Sequence, residues 1–81
     1  MTLTLREIRK TSDRSPSEWR GVDEDGLAVV IRYREGALCI TRGSNTSEDE
    51  VVCFRLLGSP DDSFMTEAQM RLEVGEVVDL P

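Results

Sequence analysis

The sequence predicts a small α+β domain: a twisted antiparallel sheet of four or five strands, built as a meander of hairpins, with one short helix packed on it. Three observations predict this fold. Residues 18–42 alternate apolar and polar side chains with a period of two. Two turns, DEDG at 23–26 and Glu-Gly at 35–36, each place a glycine late in the connection. Residues 66–73 combine a capping pattern with apolar positions. The 81 residues are predicted to form one domain, 1–81.

The N-terminal segment predicts an opening strand followed by a polar loop. Residues 2–9 alternate so that Leu3 and Leu5 share one face, and a shift in the pattern places Ile8 on the other. Residues 10–17 are polar and contain a Ser-Pro step, which is typical of a connection between strands.

The meander from residue 18 to residue 42 predicts most of the core. One face of its middle strand is apolar, and the strands on either side contribute a tryptophan and an aliphatic pair. The predicted core residues are Trp19, Leu27, Val29, Ile31, Tyr33, Leu38 and Ile40.

The C-terminal half predicts a loop, a strand, a helix and an extended end. Residues 43–50 are small and polar, whereas 51–57 are apolar enough for a strand that is buried along most of its length. Thr66 and Gln69 form a capping-box pattern for a helix from about 66 to 73, which Gly75 ends. Its predicted packing residues are Phe64, Met65, Met70 and Leu72. Residues 76–80 fit either a closing strand or an extended tail.

Composition argues against most catalytic chemistry. The chain has no histidine, which removes Ser-His and Cys-His pairs and histidine-ligated zinc. Its two cysteines, Cys39 and Cys53, lie in apolar runs and are expected to be reduced and buried. The DEDG turn lacks the ligand spacing of a calcium loop. We therefore expect no enzyme activity, cofactor, metal or small-molecule substrate.

A basic strand invites a comparison with nucleic-acid-binding surfaces. Arg32 and Arg34 flank Tyr33, an arrangement that suits base stacking. The alternation instead places Tyr33 in the core and leaves both arginines to pair with carboxylates of neighbouring strands. Together with the net charge of -6, this argues against direct binding of DNA or RNA.

Acidic residues occur in clusters rather than singly. Like charges held together destabilise a fold, so clustering is easier to explain if a basic partner approaches. The alternative is that the clusters only keep the protein soluble. Carboxylates on an extended segment recur every 3.3 Å or so, close to the roughly 3.4 Å between phosphates of one DNA strand. The predicted partner-binding residues are Asp23, Glu24, Asp25, Glu48, Asp49, Glu50, Asp61 and Asp62.

This short, acidic, single-domain profile without catalytic residues resembles the small phage-encoded anti-CRISPR proteins that imitate DNA. The resemblance implies an inhibitor that binds a basic, DNA-binding complex, such as a type I CRISPR surveillance complex, and blocks its access to DNA. The N-terminus lacks the order of a secretory signal, which predicts a cytoplasmic site, in a bacterium or a phage-infected host cell, with no membrane partner. The alternative function is a bacterial protein-interaction or regulatory domain with an apolar surface near Phe54, Phe64 and Met65.

Overall fold

The computed structural model describes residues 3–12, 17–43 and 50–81. These residues form six strands and one helix, so the expectation of four to five strands is one or two too few. In chain order the elements are β1 (Leu3–Ser12), β2 (Ser17–Asp23), β3 (Ala28–Arg34), β4 (Ala37–Gly43), β5 (Glu50–Leu56), α1 (Glu67–Val74) and β6 (Val78–Asp79).

The strands form a single mixed sheet in the order β5-β4-β3-β2-β1-β6. The first five strands are antiparallel neighbours, which confirms the predicted meander. β6 pairs in parallel with β1, because α1 carries the chain from the β5 edge back across the sheet. The C-terminal segment is therefore a closing strand. Two paired residues are too few to show an alternation with a period of two. The sequence therefore does not distinguish a closing strand from an extended tail.

A β-bulge in β1 corrects the predicted orientation of Ile8. Leu5 pairs with Asp23 but Glu7 pairs with Val22, so Arg6 is an extra residue in this strand. The bulge returns Ile8 to the side of the sheet that carries Leu5, where it packs against the core. β1 also extends to Ser12, beyond the strand predicted for residues 2–9.

One face of the sheet, which we call the inner face, holds the core. Six of the seven core residues predicted from the meander are buried, and only Leu27 is half-buried. Leu5 also joins them from β1. Around the helix the prediction was half correct. Met65 and Met70 are buried, whereas Phe64 is 50% exposed and Leu72 is 80% exposed. An eight-residue helix on a sheet has one inner side, and Leu72 faces away from it.

The helix begins as predicted. The Thr66 hydroxyl accepts a hydrogen bond from the Gln69 amide at 3.1 Å, and Gly75 follows the last helical residue. Met70 and Val74 of the helix, together with Met65 before it and Val78 after it, cover the inner face. No helix among the described residues is long and apolar enough to cross a membrane.

β5 lies at the edge of the sheet and is more exposed than its apolar sequence predicted. Val51 is 59% exposed, Phe54 61% and Leu56 73%. These three side chains lie on the outer face, opposite the helix, while Val52 and Cys53 pack partly against the core. The expectation of a largely buried strand is wrong because hydrophobicity does not reveal whether a strand has a neighbour on both sides.

Candidate functional site

The acidic hairpin between β2 and β3 is built around Asp23. Its backbone N–H and C=O bond to Leu27 and Gly26, and Gly26 has the positive φ of 82° that the turn needs. The Asp23 carboxylate accepts hydrogen bonds from the amides of Asp25 at 2.9 Å and Leu27 at 2.8 Å. It is only 2% exposed. Asp23, predicted to be a partner-binding residue, therefore does not point outward, because its short side chain folds back to order the turn.

Arg42, at the end of β4, ties this hairpin to the rest of the sheet. Its guanidinium donates to the buried Asp23 carboxylate and, at 3.0 Å, to Asp25, and it lies 3.9 Å from Glu50. Burial alone would raise the pKa of Asp23, but the hydrogen bonds from Arg42 and from the amides of Leu27 and Asp25 outweigh it, so this pKa lies below its ordinary value. The hydrogen bond to Asp23 in turn raises the pKa of Arg42.

The same residues border a shallow acidic cavity of about 330 Å³ at this end of the sheet. We call this region the acidic end: Asp23, Glu24, Asp25, Arg42 and Glu50, with Leu3, Thr4 and Val52 completing the lining. Four carboxylates face one guanidinium, which leaves a net charge of -3. The Asp25 and Glu50 side chains are 76% and 71% exposed. The structure thus brings together four of the eight predicted site residues.

Two other predicted residues, Asp61 and Asp62, lie at the opposite end of the sheet. The Asp62 carboxylate accepts a hydrogen bond from the Tyr33 hydroxyl at 2.8 Å, and its carbonyl accepts one from the Gly36 amide at 2.6 Å. Both partners belong to the β3–β4 end, whereas the acidic end lies at the start of β3. The length of β3 separates the two groups by roughly 20 Å. Glu48 and Asp49 lie outside the described residues.

The acidic end holds carboxylates, which are groups that could bind a metal ion or exchange a proton. Among residues 3–12, 17–43 and 50–81, no group of three or more potential ligands could hold a metal ion. A hydrogen bond from Arg32 lowers the pKa of Glu18 more than burial raises it, and the pKa of Asp23 is also lowered. Both groups are held as anions, so neither is suited to donate a proton near neutral pH.

Of the two arginines of β3, only Arg32 has the environment that the alternation predicted. Arg32 contacts Glu18 on β2 at 2.7 Å, and Tyr33 is buried. Arg34 lies 3.9 Å from Glu35 in the adjacent turn rather than from a carboxylate on a neighbouring strand. Burial and the hydrogen bond to Asp62 raise the pKa of Tyr33.

Neither the cysteines nor the predicted apolar surface is arranged as expected. Cys39 and Cys53 are unpaired thiols, but both are half-buried rather than buried. They lie on β4 and β5, which are the two strands nearest the exposed β5 edge of the sheet. Met65 belongs to the core, and Phe54 lies on the outer face. Phe64 instead packs near Lys10, whose Nζ is 5.4 Å from its ring centroid. The three residues named for the alternative function therefore do not form one surface.

Arg42 is the main site residue that sequence reasoning missed. It is one of nine arginines, and nothing in its local sequence distinguishes it. The strand register carries the signal, since Arg42 pairs with Val29 on one side and with Glu50 on the other, near the start of β3.

Comparisons of this chain with protein-family models, curated proteins and solved structures found no match.

Proposed function

We propose that this protein is a non-enzymatic inhibitor that binds a basic, nucleic-acid-binding complex through the acidic end and blocks its access to DNA. A type I CRISPR surveillance complex is the kind of target implied by the anti-CRISPR resemblance. The observation that carries the proposal is the grouping of Glu24, Asp25 and Glu50 on an ordered hairpin and strand end with a net charge of -3. Preorganised charge favours binding because less ordering is required on association.

The proposed contact residues are fewer than the eight predicted from the sequence. Asp23 serves the turn and Arg42, so the surplus charge presented to a partner comes from Glu24, Asp25 and Glu50. In sequence, Glu48 and Asp49 directly precede Glu50, but both lie outside the described residues. Asp61 and Asp62 lie too far away to share a small contact area, and we leave them out of the proposed surface.

The test compares two double charge reversals in an inhibition assay. The site variant is Glu24→Lys with Glu50→Lys, and its matched control is Glu35→Lys with Asp61→Lys at the opposite end. Both change the net charge equally and replace exposed residues. A panel of purified type I surveillance complexes is titrated with each protein, and binding of labelled target DNA is measured by fluorescence anisotropy.

We expect the natural protein to displace DNA, with an effect that weakens steeply as salt rises from about 50 to 300 mM. The site variant should lose about tenfold or more in potency, while the control keeps most of it. Equal losses in both variants would reduce the effect to net charge and contradict a specific surface. Absence of inhibition across the panel would overturn the proposed target class.

A further inference from the structure

The outer face of the sheet carries a charge opposite to that of the whole molecule. Cross-strand pairing places Arg9 opposite Arg20 and Glu18 opposite Arg32, and Arg34 lies two residues further along β3. With Glu7 and with Asp79, which pairs with Thr4 on β1, these four arginines face three carboxylates in a chain of net charge -6. Directly opposed like charges such as Arg9 and Arg20 destabilise a sheet. Glu18, 3.6 Å from Arg20, offsets part of this repulsion.

A groove crosses this face where the arginines meet the exposed side of β5. Two rows of paired residues define it: Arg32, Cys39 and Phe54 in one, and Arg34, Ala37 and Leu56 in the next. The small side chains of β4 form its floor, with guanidinium groups on one wall and apolar side chains on the other. These six residues and Glu35 line a volume of about 390 Å³.

The dimensions of the groove fit one extended chain. Its walls stand on β3 and β5, two strand spacings or about 9.5 Å apart. Phe54 and Leu56 are 61% and 73% exposed, and the Arg34 side chain is 63% exposed with its only described carboxylate neighbour, Glu35, at 3.9 Å. Arg34 and the apolar wall are thus available for contacts, whereas Arg32 is already paired with Glu18 at 2.7 Å.

We propose that this groove binds an extended, acidic protein segment that also carries apolar side chains. A carboxylate of the segment would pair with Arg34, while Arg32 keeps its contact with Glu18, and the apolar side chains of the segment would pack on Phe54 and Leu56. Nucleic acid fits less well, because the wall along β5 offers a single aromatic ring and otherwise aliphatic groups, which stack poorly with bases. The groove is separate from the acidic end, so the proposal does not depend on the function proposed above.

The experiment uses the full chain and four fluorescent probes measured by anisotropy. The test probe is a ten-residue peptide that alternates glutamate with leucine. The others are a glutamate–serine peptide, a lysine–leucine peptide and a single-stranded DNA oligonucleotide. Phe54→Ser and Arg34→Glu alter the two walls of the groove. Leu72→Ser and Arg6→Glu are the matched controls, since both replace exposed residues elsewhere.

We expect the glutamate–leucine peptide to bind saturably and the glutamate–serine peptide and the DNA not to bind. Any binding of the lysine–leucine peptide would use the acidic end, so the two wall variants should leave it unchanged, and a loss there would contradict the assignment of the groove. Each wall variant should weaken binding of the glutamate–leucine peptide about tenfold or more, whereas both controls stay within about twofold. Amide shifts in a two-dimensional NMR titration should map to β3, β4 and β5 and leave the acidic end unchanged. The proposal is overturned if that peptide does not bind, if the glutamate–serine peptide or the DNA binds equally well, or if the controls weaken binding as much. Self-association through the groove at the concentrations used would assign it to a second copy and overturn it as well.

Discussion

At the scale of single residues, Asp23 differs from Glu24 in the same turn because its charge has a structural role. Its carboxylate is buried and accepts hydrogen bonds from two amides and from Arg42. The turn and the ion pair with Arg42 thus explain why residue 23 is an aspartate. The contact with Arg42 explains in part why residue 25 is also acidic. Glu24 is exposed and has no such structural role among the described contacts. Fewer acidic residues of the hairpin therefore lack a structural role than the sequence suggests.

Replacing Asp23 tests this assignment. We expect Asp23→Asn to lower the free energy of unfolding at pH 7 by about 3 kcal/mol, because it leaves the partly buried Arg42 without its main counter-ion. Unfolding in urea, followed by the fluorescence of Trp19, the only tryptophan, measures the change. Glu24→Gln is the control and should shift stability by less than about 0.5 kcal/mol.

The pH dependence gives a second readout of the same variant. Because the pKa of Asp23 is lowered in the folded state, its stabilising contribution is complete above its ordinary pKa of about 3.9 and is lost as pH falls through the lower folded value. The natural protein should therefore lose stability more steeply below about pH 4 than Asp23→Asn does. Parallel curves for the two proteins would show that Asp23 is not the titrating group.

At the scale of elements, the helix is held by its inner side and by one contact at its end. Met70 and Val74 are fully buried, while Leu72 between them is 80% exposed. The Arg55 guanidinium donates to the Glu73 carbonyl at 3.3 Å and so links the last helical turn to β5. A cation near the last carbonyls also complements the helix dipole. The helix therefore depends on the sheet for its stability, as expected for eight residues.

Two truncations on this helix test which side packs. Met70→Ala should lower the free energy of unfolding by about 2–5 kcal/mol, because it leaves a cavity under the helix. Leu72→Ala, two residues away, should change it by about 0.5 kcal/mol or less, because its side chain is already in water. Urea unfolding monitored by Trp19 fluorescence measures both. Similar losses in the two variants would contradict the described orientation of the helix.

At the scale of the whole molecule, the segment between β5 and α1 closes the fold. The Ser17 amide bonds to the Ser63 carbonyl at 2.9 Å, and the Met65 amide to the Ser17 hydroxyl at 3.0 Å. Tyr33 and Asp62 add a side-chain bond between β3 and the same segment. These contacts join residues far apart in sequence, so they form only when this segment lies against the sheet.

Alkaline titration of Tyr33 reports on this closure. Burial and the Asp62 carboxylate raise its pKa, so absorbance near 295 nm should show phenolate forming above the ordinary pKa of about 10. Tyr33 is the only tyrosine, which makes the signal unambiguous. The contribution of Tyr33 to stability is complete below its ordinary pKa and is lost as pH rises through its pKa in the folded state. Asp62→Asn should lower the pKa but leave it raised, because burial is the larger cause. Titration at the ordinary value in the natural protein would contradict the contact.

Sequence alone determined the features that depend on residues close together along the chain. The alternation along β2 to β4, the glycine turns and the Thr66 cap all follow from local backbone geometry, and the structure confirms them. Local sequence does not record which strands are neighbours. Only the tertiary structure placed β6 beside β1, left β5 at the edge, brought Arg42 to Asp23 and separated Asp62 from the acidic end. The physical reason is that strand order and register bring distant residues together, and a charge acquires its role from the neighbours it meets there.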